Sequence, residues 1–94
     1  MIIRKLLYWL IAGSRGGENR ARILMLVRDT PMNTKQIADR LALDYKTVQH
    51  HLDVLKKHML LDSIGEGYGK AYTISPEMEA IVNEVPKIFK NRKK

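Results

Sequence analysis

The stretch from Asn33 to Lys57, NTKQIADRLALDYKTVQHHLDVLKK, constrains the fold most, because it reads as two amphipathic helices joined by a turn too short for an antiparallel arrangement. Asn33 and Gln36 have the spacing of a capping box. In that motif the Asn side chain accepts from an early backbone N–H and the Gln side chain reaches back to the cap. The apolar face that follows is Ile37, Ala38 and Leu41. Asp44 is placed to cap the second helix, where a short carboxylate meets orphan amides and the positive end of the helix dipole. The inner stripe of that helix is Val48, Leu52 and Leu55. Ala38 is small where the helices must approach, and Leu43 is apolar where the corner must be plugged. Two helices meeting across such a corner make a helix-turn-helix. No nucleophile–base pair or paired carboxylates can be read from spacing here or elsewhere, so an enzyme is not expected.

The flanks extend this unit. Residues 2–12, IIRKLLYWLIA, place Ile3, Leu6, Leu7, Leu10 and Ile11 on one helical face, with Tyr8 and Trp9 widening the apolar surface. Such a helix is a core helix of the monomer, a dimerisation helix or, as a weaker third option, a helix that binds at a membrane interface. A 94-residue chain with 45% hydrophobic residues has little interior, which favours dimerisation. Gly13–Gly17 reads as a turn or flexible joint, because no strand precedes it and it lacks the spacing of a phosphate-binding loop. Arg15, Arg20 and Arg22 are nevertheless candidates for contact with a phosphate backbone. Residues 18–28 form a further helix with Ile23, Leu24, Leu26 and Val27 inward, broken before Pro31.

Beyond the pair, two short strands are predicted over 60–64 and 70–74, joined by the tip Gly65-Glu66-Gly67-Tyr68-Gly69. A hairpin directly behind a helix-turn-helix is a wing. Ser75-Pro76 starts a last helix, in which Met78, Ile81, Val82, Val85, Ile88 and Phe89 recur at helical spacing. Pro86 should kink it, or break it at Val85. Ile81, Val85, Ile88 and Phe89 are the second candidate dimer face, and residues 90–94 should be a solvated, mobile tail. The expected fold is mainly α with a small β-hairpin, a winged helix-turn-helix flanked by N- and C-terminal dimerisation helices. It makes one domain over 1–94, divided into an apolar helix (1–12), a core (18–75) and a terminal helix with basic tail (76–94).

Seventeen Lys and Arg against ten Asp and Glu give a net charge of +7, which points to a polyanionic partner. The excess lies at the ends: residues 1–28 and 87–94 each carry +5, whereas residues 29–86 carry −3. Absence of cysteine excludes disulfides, thiolate metal sites and cysteine nucleophiles, and an intracellular, cytoplasmic protein is the simpler reading. The apolar run Leu6–Ala12 is too short to span a membrane, and Arg15 stands at the point where a signal peptide would be cleaved, so neither a membrane partner nor secretion is expected.

The order of elements, together with Ile23-Leu24, Gln36-Ile37-Ala38-x-x-Leu41, Leu43-Asp44-x-x-Thr47-Val48-x-x-His51-Leu52-x-x-Leu55 and Gly69-Lys70-x-Tyr72, resembles winged-helix regulators of the ArsR superfamily. The likeness is greatest to small archaeal members and runs from Glu18 to about Ile81. It implies a homodimer with its helix-turn-helix in the major groove of double-stranded DNA and its wing along the backbone. Metal-sensing members carry cysteines on the first helix of the pair, or Asp and His on the terminal helix. This chain has Gln36-Ile37-Ala38-Asp39 in the first place and no terminal-helix histidine, so neither a metal nor a cofactor is expected.

With Val48, Leu52 and Leu55 inward, helical rotation turns Lys46, Gln49, His50, Asp53 and Lys57 outward, with Tyr45 exposed at the helix start. Gln49 has the chemistry to pair with adenine, and Lys46 or His50 to donate to guanine or phosphate. Tyr45, Thr47, Thr34, Lys35, Lys70 and Tyr68 are candidate backbone contacts. His51 falls at the edge of the buried stripe, where a structural hydrogen bond is expected, and His58 at the helix C-terminus. A sequence-specific transcriptional regulator is the leading reading. The alternatives are a protein-interaction subunit of a larger assembly, favoured by the −3 charge of the centre, and a weakly selective chromatin-like protein held by its basic ends.

Overall fold

The computed structural model of the chain describes residues 2–91, the side chains of residues 2, 68 and 91 excepted. Its elements run α1 (Ile2–Ala12), α2 (Gly17–Asp29), β1 (Met32–Asn33), α3 (Thr34–Leu41), α4 (Tyr45–Lys57), β2 (Leu61–Ile64), β3 (Ala71–Ile74), α5 (Pro76–Glu79) and α6 (Val85–Asn91). This is the winged helix-turn-helix read from the sequence, with element ends shifted by a residue or two. Both predicted caps form. Gln36 N–H donates to Asn33 Oδ1 at 2.8 Å, Asn33 N–H donates to Gln36 Oε1 at 2.9 Å, and Thr47 N–H donates to Asp44 Oδ2 at 3.1 Å. Ala42 ends α3 in the left-handed region at φ 56°, letting Leu43 N–H bond back to the Ala38 carbonyl at 3.0 Å and turn the chain into α4.

The sheet has one strand more than the hairpin. β1 pairs antiparallel with β3 (Met32 with Tyr72, Asn33 with Ala71), so β3 is central in the order β1-β3-β2. On its other side β3 pairs with β2, Leu61 with Ile74 through Ile64 with Ala71. A two-residue strand shows no alternation in sequence. Only its partner reveals it.

The flanking helices pack within the chain. α1 packs against α2 and α6 of the same chain. Leu7, Leu10 and Ile11 are 0–1% exposed, and Val85, Ile88 and Ile81 are buried with them in one continuous core. Ile3, Leu6 and Phe89 are half-buried at its margin. Most residues of the two candidate dimer faces therefore also help to close the monomer's own core. Among the described side chains of α1, the large apolar ones left open are Tyr8 and Trp9, 47% and 58% exposed. Arg4, exposed on the same helix, donates to both Glu84 carboxylate oxygens at 3.1 and 2.7 Å. This pair holds the Glu84 carboxyl below its usual range.

The joint at Gly13–Gly17 is tightly packed. Gly16 has φ 82°, and a Cβ there would stand 2.7 Å from the His51 ring. Gly17 is buried, and a Cβ on it would collide with the Ile11 carbonyl. Arg20 reaches back from α2, its Nη1 donating to the Leu10 carbonyl at 3.0 Å and to Ser14 Oγ at 2.8 Å, so a guanidinium satisfies the C-terminal end of α1. The terminal helix also differs from expectation. It breaks earlier than Pro86, at Ile81 (φ −125°, ψ 1°), passes a 3₁₀ turn over Val82–Glu84 and restarts at Val85. Pro86 thus lies in the first turn of α6, where its missing N–H costs nothing.

Candidate nucleic-acid interface

α4 presents a polar surface anchored underneath by Val48, Leu52 and Leu55, all 0% exposed. Tyr45, Lys46, Thr47, His50, Asp53 and Lys57 stand exposed along it, as helical rotation predicts. Lys35, near the start of α3, is exposed and lies 3.4 Å from Asp39. Lys70 enters β3 half-buried, its ammonium 5.8 Å from the centre of the Tyr72 ring. The side chain of Tyr68 lies outside the described structure.

Two of the predicted contacts are placed differently. Thr34 is 5% exposed, and its hydroxyl donates to Gln49 Oε1 at 2.7 Å. Gln49 is half-buried, and its Nε2 donates to Asp53 Oδ1 at 2.9 Å and to Tyr72 Oη at 3.1 Å. Both donors and one acceptor site of the amide are used within the chain. Gln49 therefore ties α4 to the start of α3 and to the central strand, instead of standing free above α4. Tyr72 and Asp53 were not predicted as its holders. The i, i+4 spacing of Gln49 and Asp53 was visible in the sequence, but the contacts to Thr34 and Tyr72 cross the fold. Between these residues, Tyr45 and Gly67 of the wing tip lies a groove of about 290 Å³. Lys56 Nζ donates to Ser63 Oγ at 2.8 Å, a second link between α4 and the wing.

His51 is 6% exposed, at the buried edge where it was predicted, but it lacks the expected hydrogen bond. Among the described residues its buried Nδ1 has no hydrogen-bond partner. Burial pushes its pKa below the ordinary imidazole value, and the neighbouring Arg20 and His50 push in the same direction. His58 does end α4, its Nδ1 2.9 Å from the Val54 carbonyl.

The family model for the bacterial regulatory protein arsR family matches residues 17–63, from the start of α2 into β2. The chain belongs to this family. As an arsR-family helix-turn-helix protein it is a DNA-binding transcriptional regulator. No curated protein sequence matches it significantly. Among solved structures it is similar to HlyU from Vibrio cholerae at 24% identity and TM-score 0.70, each chain covered to 92%. The transcriptional regulator BldR from Sulfolobus solfataricus is similar at 15% identity and TM-score 0.72, over 93% of this chain and 66% of that one. Lactococcus lactis ZitR matches 77% of this chain and 51% of its own at 19% identity and TM-score 0.65. At these identities the structural likeness establishes the winged-helix fold. No described helix of this family member is long and apolar enough to cross a membrane.

Proposed function

We propose that this arsR-family protein binds a specific duplex site as a homodimer and regulates transcription there, without metal, cofactor or catalytic step. The observation that carries the reading is α4 itself. Its exposed face is held at a fixed angle by the Asp44 cap, by the Thr34–Gln49–Tyr72 hydrogen bonds and by the wing beside it. Lys46 and His50 stand exposed on this face and have the chemistry to donate to base edges or phosphate. Tyr45, Thr47, Lys35 and Lys70 serve the phosphate backbone, and Lys57 lies at the far end of the same face. Gln49 positions α4 and would read adenine only by giving up its contacts to Asp53 and Tyr72. Because the faces of α1 and α6 are occupied within the chain, the dimer contact falls to the exposed flank of α1 carrying Tyr8 and Trp9. Two copies then hold their α4 helices about one DNA turn apart. Action on the chromosome places the protein in the cytoplasm.

Titrating the chain and Lys46→Ala against a pool of genomic fragments, followed by footprinting of the preferred fragment, tests this. A symmetric footprint lost in the variant is the expected result. No fragment preferred over bulk DNA removes sequence specificity. Binding unaffected by Lys46→Ala transfers the function to the protein-interaction reading that the −3 charge of residues 29–86 favours.

A further inference from the structure

Asp53 is the one acidic residue in the sequence of α4, and it stands exposed on the face assigned to DNA, at i+3 from His50 and i+7 from Lys46. It makes no ion pair among the described residues. A carboxylate in that position opposes the phosphates of every duplex, whatever the sequence, so it weakens binding unless a donor on the DNA meets it. The carboxylate is also held in place. Gln49 Nε2 donates to Asp53 Oδ1 at 2.9 Å, and the Gln49 amide is itself fixed by the Thr34 hydroxyl at 2.7 Å and by Tyr72 Oη at 3.1 Å. Thr34 and Tyr72 are 5% and 2% exposed, so this chain of hydrogen bonds is anchored in the interior, at the start of α3 and in the central strand. One carboxylate oxygen is thereby tied, while Oδ2 has no hydrogen-bond partner among the described residues. An acceptor preset in this way loses less freedom on binding than a free side chain does.

An ionised carboxylate accepts and cannot donate. The base donors in the major groove are the N4 amine of cytosine and the N6 amine of adenine. Adenine N6 stands between two acceptors, its own N7 and O4 of the paired thymine, which repel a carboxylate from both sides. Cytosine N4 has an acceptor on one side only, O6 of the paired guanine, and a C–H on the other. Side chains from the middle of a helix do reach base edges in that groove. We infer that Asp53 reads a cytosine, accepting from its N4 amine, with Gln49 as the positioning residue. This rests on the proposed function, which lays α4 in the groove, and it names one base of the site. In a symmetric dimer the cytosine recurs once in each half-site. The same carboxylate works against other sequences, because thymine and guanine present it with acceptors and phosphates repel it without compensation.

The test is selection of bound duplexes from a randomised pool by the full chain and by Asp53→Asn, whose folding is checked by circular dichroism. Affinities are then measured for the preferred duplex and for its single-pair replacements. The unaltered chain should retain a C·G pair at one position of each half-site and lose about 5- to 150-fold in affinity when it is replaced, the range for one mismatched pair. Asp53→Asn should move the preference at that position, and at no other, from cytosine to adenine, which an amide reads through N6 and N7. Asp53→Ala should level the preference there, and it decides the matter if the amide variant folds poorly. Gln49→Ala frees the carboxylate and should reduce discrimination at that position with cytosine still preferred, whereas a merely structural role would lower affinity for every duplex alike. Base preferences unchanged in both Asp53 variants, with or without a uniform gain in affinity, overturn the assignment and leave the regulator reading standing. No preferred duplex for the unaltered chain overturns both.

Discussion

Replacing Leu7 by Ala separates a core helix from a dimerisation helix. Leu7 is 0% exposed on the face of α1 that packs against α2 and α6. Truncation removes transfer energy and leaves a cavity between three helices that cannot close independently. Fully buried Leu→Ala changes cost about 2–5 kcal/mol. With a midpoint shift of about 4–8 °C per kcal/mol for a domain of this size, a loss near 3 kcal/mol lowers Tm by roughly 12–24 °C. Trp9, two positions along but 58% exposed, gives the contrast: its change to Ala should alter monomer stability by less than about 0.5 kcal/mol. The assay is urea and thermal unfolding by circular dichroism at two protein concentrations differing a hundredfold, with association state from sedimentation. Leu7→Ala should be destabilised equally at both concentrations, whereas Trp9→Ala should weaken association and leave the monomer intact. A Leu7→Ala protein within 1 kcal/mol of the original, or one whose whole loss disappears on raising concentration, would refute the intrachain packing of α1.

Three further outcomes follow from particular contacts. Gly17→Ala forces a methyl into the Ile11 carbonyl and should cost about 1–3 kcal/mol in urea unfolding, the range for overpacking, so an unchanged midpoint would contradict the close approach of α1 and α2. Tyr72→Phe keeps the buried ring and removes the hydroxyl that accepts from Gln49, and should lose about 1 kcal/mol together with affinity for duplex. His51 is buried with its pKa lowered, so on acidification the unfolded chain takes up the proton first. Stability should therefore fall as pH drops below about 6.5, levelling off once the folded-state pKa is passed. In phosphate-free buffer that slope should be present in the original chain and absent from His51→Gln. An identical slope in both would assign it to other groups.

The helix-turn-helix was legible because its signals are local. The capping box at Asn33 and Gln36, the Asp44 cap and the stripe Val48, Leu52, Leu55 are satisfied by neighbours within one or two turns, so spacing alone predicts them. The same holds for Lys46, Thr47 and His50, whose outward direction follows from helical rotation once the inner stripe is known. Pro86 shows the limit of such reasoning. Its effect depended on where the helix had already ended, at Ile81, and that end is set by how Val82 and Val85 seat in the core.

By itself, then, the sequence determined the order of elements, their caps, the inward and outward faces of α4 and the kind of protein these make, because each depends on bonds and periodicities within a short span of chain. Tertiary structure alone decided that α1 is covered by α6 of its own chain, that Met32–Asn33 adds a third strand, that Gln49 is held by Thr34 and Tyr72, and that the His51 ring is buried against the α1–α2 joint. The physical reason is common to all four. An apolar stripe or a polar side chain states what it needs, a dry surface or a hydrogen-bond partner, but which distant residue meets that need is settled only when the chain packs.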